Sequence, residues 1–97
     1  MSAVTLETTL LTSPDVVTQE LEGEMVLLSL DRAEYFGLNE TGTCIWSGIV
    51  DALSLSGIAD RVAQQFEVDI ERARADVLAL AETLVKSGLA RTADVQP

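Results

Sequence analysis

The sequence predicts an α+β fold, a three-stranded antiparallel sheet followed by a three-helix bundle. Two observations predict it. Short apolar runs split by tight-turn signals fill residues 15–38. Beyond Leu38 the period lengthens, and capping residues precede runs with helical spacing. A chain of 97 residues fits one small domain with a modest core.

Residues 1–13 are Thr-rich without a clear period and read as a loosely ordered lead-in. The domain proper is expected over 14–91, with 92–97 as a tail. After Pro14, "DVVTQEL" holds strand-type residues, and "EGE" turns at Gly23, which tolerates positive φ. "MVLLSL", Met25 to Leu30, suits a strand buried on much of both faces. "DRA" forms a second turn and "EYFGL", Glu34 to Leu38, a third strand. Asn39 can cap a helix bearing Ile45, Trp46, Ile49, Val50 and Leu53, with Trp46 in the core. Ser54 caps a second helix, in which Ile58, Val62 and Phe66 recur every fourth residue. Asp69 caps a third, from about Ile70 to Ser87, and Gly88 stops it.

Composition removes several function classes. Six basic residues stand against 16 acidic ones, a net charge of −10. Arg32, Arg61, Arg72, Arg74, Lys86 and Arg91 are scattered, so no phosphate-neutralising face forms and nucleic acid is not an expected ligand. No apolar run approaches the roughly 20 residues of a membrane span, and "MSAVTLETTLLTSPD" lacks signal-peptide features. A cytoplasmic protein with no membrane contact is expected. Histidine is absent, which removes the commonest general base and zinc ligand. The single Cys44 reads as a small buried hydrophobe. "GTCIWSG" lacks the ending of a phosphate loop. Glu20, Glu22 and Glu24 read as solvated edge charges, and Asp69, Glu71 and Asp76 lack calcium-loop spacing. No catalysis, metal or cofactor is expected.

Two features carry binding chemistry. Gly37 in "EYFGL" offers no side chain, so a strand at the sheet edge could meet another backbone there. On the third helix Ile70, Ala73, Val77, Leu80, Ala81 and Leu84 form an apolar stripe with Arg74 at its margin. Either the whole stripe packs on the sheet, or part of it lines a groove.

"YFGLNETGTCIW", continued by "SLSGIADRVAQQFEVDIERARADV" and "LVKSGL", resembles the PqqD-like family from about Val16 to Ala90. The joint Leu38-Asn39-Glu40-Thr41-Gly42, with Ile45-Trp46 a turn later, is its most specific part. The resemblance implies a winged-helix-turn-helix-like domain that binds the leader of a ribosomally made precursor peptide and delivers it to modifying enzymes. It implies that the leader adds as a strand along Glu34, Tyr35, Phe36, Gly37 and Leu38. The leader would lie against the third helix around Arg74, Asp76, Val77, Leu80 and Ala81, on a flank that the motif leaves open. Within the family the chain looks most like the free-standing leader-binding proteins of lasso-peptide biosynthesis, whose partners are a leader peptidase and a cyclase. The alternative is a quinone-cofactor peptide chaperone working with a radical enzyme. Outside the family, a winged-helix DNA-binding protein or a structural subunit would share the topology. A monomer is expected, with edge-strand dimerisation as the alternative at high concentration.

Overall fold

The computed structural model describes residues 4–22 and 24–93. In chain order it runs β1 (Leu10–Thr12), β2 (Val16–Leu21), β3 (Glu24–Ser29), β4 (Glu34–Leu38), α1 (Glu40–Val50), α2 (Leu55–Phe66), α3 (Ile70–Lys86) and β5 (Ala90–Thr92). The expected meander is present as an antiparallel sheet in the order β2-β3-β4, and three helices follow it. Gly23 lies outside the described residues, while its neighbour Glu22 takes φ +53°.

Alternation along the strands assigns the two faces of this sheet. Val16, Met25 and Phe36 pack toward the core, and Leu27 and Leu38 lie inside it. Buried Ser29 stands in the same row, and its hydroxyl donates to Asp15 Oδ2 at 3.0 Å. β3 is therefore buried on one face only, not on much of both, because the helices cover a single side. The turn into β4 is pinned by the same carboxylate, which accepts the Asp31 N–H at 3.1 Å. Ala33 completes the turn at φ +56°.

Each helix starts where its cap residue predicts. Asn39 Oδ1 accepts the Gly42 N–H at 2.8 Å, and Ser54 Oγ accepts the Gly57 N–H at 3.1 Å. Asp69 sits at the third N-cap without a side-chain cap bond. Gly88 ends the helical run at φ +76°, the conformation that glycine adopts without a Cβ penalty. Gly48 permits the close crossing of α1 and α2, since a Cβ there would lie 2.6 Å from Ile58 Cγ1.

The lead-in departs from expectation. β1 pairs antiparallel with β5, Leu10 opposite Thr92, in a second sheet. Leu10 is fully buried, and the Ala93 N–H donates to the Thr9 carbonyl at 2.8 Å. Farther back, the Leu55 and Ser56 N–H groups donate to the carbonyls of Thr8 and Leu6. The expected boundaries at 13 and 92 thus cut through ordered structure. Burying Leu10 contributes roughly 1.5–3 kcal/mol, and it acts with these backbone bonds to hold a segment whose three-residue strand shows no readable period.

Candidate functional site: the free edge of β4 and its groove

β4 has β3 as its only strand neighbour among the described residues, so its other edge carries unpaired backbone groups. Ahead of Gly37 the space is open, with nothing within 4 Å of a Cβ built there. Between this edge and α3 lies a groove of about 560 Å³. Phe36, Gly37 and Leu38 form one wall, and Arg72, Asp76 and Leu80 form the other. Gly42 and Ile45 of α1 close the floor, with Asn39 and Thr41 at one end. Gly42 suits that floor because a Cβ would sit 3.1 Å from Leu38 Cδ2.

The helical wall follows from a one-residue offset. Ala73, Val77 and Ala81 are fully buried and define the core stripe of α3. Arg72, Asp76 and Leu80 each precede one of them, so their stripe is rotated by about 100° and emerges beside the sheet edge. Arg72 Nε and Asp76 Oδ2 stand 4.0 Å apart with both side chains exposed. Such a pair contributes little to stability and leaves both groups available to a ligand.

Of the residues expected at the site, Glu34, Tyr35, Phe36, Gly37 and Leu38 lie along the free strand, and Asp76 and Leu80 face it across the groove. Leu38 is also a core anchor, 3% exposed. Val77 and Ala81 are corrected: their side chains point into the core, because the apolar stripe marks the packing face of α3 and not its groove face. Arg74 is corrected as well. It belongs to the opposite flank, with Leu78, and does not line the groove. Arg72, Asn39, Thr41, Gly42 and Ile45 also line the groove and were not among the residues expected there. The i, i+4, i+8 row Arg72-Asp76-Leu80 was visible in the sequence, but its mixed polarity disguised it as ordinary helix surface.

Glutamates stand beyond the groove on both sides. Beyond Asn39 and Thr41 it opens onto a pocket of about 380 Å³ lined by Glu22, Glu24 and Glu40. Beside Phe36 a small recess of about 40 Å³ is lined by Glu34, Tyr35, Ser87 and Leu89. Cys44 is buried, and desolvation pushes its thiol pKa up against the opposing charge of Arg61. Among the described residues, no group of three or more His, Cys, Asp or Glu side chains could hold a metal ion.

An unpaired strand facing a helix across an apolar-floored groove is the build of a peptide-recognition domain. The chain belongs to the PqqD family: the family model of coenzyme PQQ synthesis protein D matches residues 24–90. Two solved structures share the fold over most of their length. The structure of TbiB1 in complex with the TbiA(β) leader peptide is 26% identical, with a TM-score of 0.77, over 90% of this chain and 99% of that one. Lasso peptide synthetase B1 complexed with the leader peptide is 28% identical, with a TM-score of 0.78, over 84% and 96%. No curated protein matches significantly.

Proposed function

We propose that this protein is a non-catalytic adaptor of lasso-type peptide biosynthesis. It binds the leader of a ribosomally made precursor peptide by strand addition to β4 and presents it to a leader peptidase or cyclase in the cytoplasm. The observation that carries this reading is the free β4 edge facing Arg72, Asp76 and Leu80 across the groove. It is supported by two solved relatives that hold leader peptides. Backbone pairing supplies affinity with little sequence information, so selectivity falls to side chains that enter the groove near Phe36, Ile45 and Leu80. The residues that touch the leader are Glu34 to Leu38 with Arg72, Asp76 and Leu80.

A second reading has one observation in its favour, the family's namesake role in quinone-cofactor synthesis. There the same edge would serve a precursor peptide handled by a radical enzyme. Fluorescence-anisotropy titration with labelled leaders from precursor genes adjoining this one, beside a duplex DNA control, separates the readings. Saturable binding to a lasso-type leader is expected, without DNA binding. Binding only to a quinone-precursor peptide would move the protein to the second reading, and silence from every peptide would remove both.

A further inference from the structure

Between residues 15 and 38 the chain carries one cation, Arg32, among Asp15, Glu20, Glu22, Glu24, Asp31 and Glu34. It sits on the turn into β4, and its guanidinium lies against Gly88, just past the end of α3. A Cβ built on Gly88 would stand 3.1 Å from Cζ, 3.1 Å from Nη2 and 3.2 Å from Nε. A point that far from three coplanar, bonded atoms, and nearly equally far from each, lies over their plane and not at its rim. The guanidinium therefore rests face-on against Gly88, and its N–H groups, which lie in the plane, are not blocked by the contact. Gly88 is held in turn, its carbonyl accepting the Ser13 hydroxyl at 2.7 Å.

Those donors have no partner among the described residues. The backbone N–H of Arg32 donates to Ser29 Oγ at 3.3 Å, but its side chain makes no hydrogen bond, and the ion pairs are Arg61–Asp51 and Arg72–Asp76. Asp15 is near enough to feel the charge, yet its Oδ2 is taken by the Ser29 hydroxyl and the Asp31 N–H. Ser87 and Leu89, on either side of Gly88, line the recess that also meets Glu34, Tyr35 and Phe36. The guanidinium thus stands at the Glu34 end of the free β4 edge, two residues before the strand begins, or about 7 Å along an extended chain. A planar fork held flat and unpaired suits a carboxylate, which it can take with two parallel bonds. Strand pairing alone needs such an anchor, because a slip of two residues returns every side chain to the same face.

We propose that the Arg32 guanidinium, stacked on Gly88 at the Glu34 end of β4, binds a carboxylate of the leader, an Asp or Glu side chain one or two residues past the segment paired with β4. This rests on the adaptor reading above and adds the contact that fixes the leader's register on the strand. The net charge of −10 repels acidic peptides in general, so the preference for an acidic residue is confined to this one position.

The test titrates the full chain with C-amidated, labelled leaders from the adjoining precursor genes, in which each Asp and Glu is changed singly to Asn or Gln. Arg32→Gln should bind the unaltered leader about tenfold more weakly than wild type, with its fold confirmed by circular dichroism. One leader substitution should cost wild type the same factor and cost Arg32→Gln nothing further, the coupling that a double-mutant cycle reads and that a merely structural brace on Gly88 would not produce. Arg32→Lys keeps the charge without the fork and should recover only part of the loss. Should the glutamine variant lose its fold, the same cycle with Arg32→Lys decides. As a control, Arg91→Gln removes an equal charge from β5 and should stay within about twofold. Wild-type affinity in a folded Arg32→Gln, or losses that simply add for every acidic residue of the leader, would overturn the site while leaving leader binding intact. If wild type binds no leader at all, the adaptor reading falls and the site falls with it.

Discussion

The three-stranded sheet has two free edges among the described residues, β2 and β4, and they differ in what lies beside them. β2 runs through Val17, Thr18, Gln19, Glu20 and Leu21, all exposed, and lines none of the grooves beside β4. β4 faces α3 across a groove, and its buried Leu38 leads directly into the Asn39 cap of α1. Both edges offer backbone pairing, but only β4 adds side-chain walls that can choose a partner. A free edge alone is therefore a hazard that exposed polar residues such as Glu20 help to blunt, whereas an edge with a groove has what the proposed strand addition needs.

The largest test of this contrast removes the groove's support. Ala81→Glu would place an unpaired carboxylate at a fully buried position of α3, an expense of about 3–5 kcal/mol. A domain of this size has only about 5–15 kcal/mol to lose, so a large drop in melting temperature is expected. A stable Ala81→Glu protein would show that this face of α3 opens toward the groove after all.

Next comes a direct comparison of the edges. Gly37→Pro on β4 removes a backbone donor and adds a ring, and leader affinity should fall about a hundredfold while helical circular dichroism persists. Gly37→Ala keeps the N–H and enters open space, so it should bind almost normally. The matching Thr18→Pro on β2, where alternation turns the N–H to the free edge, should leave leader affinity within about twofold at some expense in stability. Equal losses from the two prolines would erase the distinction between the edges.

A smaller effect isolates the wall from the edge. Leu80→Ala keeps every backbone group of β4 but removes apolar surface opposite it, so affinity should fall about tenfold without loss of fold. If binding were unchanged, strand pairing alone would account for recognition and the groove would be incidental.

How much of this was readable differs from element to element. The meander announced itself because apolar runs and turn residues are local signals, and Asn39 and Ser54 are local caps. β1 and β5 were not readable, since two three-residue strands about 80 positions apart define each other only after folding. On α3 the apolar stripe was found correctly, but an apolar stripe reports burial. Val77 and Ala81 therefore stood for the groove when they belong to the core, and Arg72 was passed over as surface. A binding flank of mixed polarity looks like solvent-facing helix until the sheet edge is placed beside it. The β4 edge was legible mainly through Gly37, whose missing side chain weakens a strand unless something must approach it.

The smallest expected effect concerns the residue that ties the two edges together. Asp15 precedes β2, yet its carboxylate accepts the Asp31 N–H and the Ser29 hydroxyl at the turn that launches β4. Those bonds, the backbone one first, with help from Arg32, outweigh desolvation and hold its pKa below the ordinary aspartate value of 3.8. The folded form thus binds the proton less readily than the unfolded chain. The stabilisation is fully present above about pH 3.8 and is lost as pH falls through the lower folded value. At neutral pH Asp15→Asn keeps an acceptor oxygen, so leader affinity should change by less than about twofold. In acid the variant should differ from wild type: the Asp31 amide resonance should shift with protonation in wild type and stay flat in Asp15→Asn. If instead the wild-type resonance showed no transition below pH 3.8, the carboxylate would not be what fixes the turn, and the geometry of the β4 edge would have to be set by the Ser29 and Ala33 backbone alone.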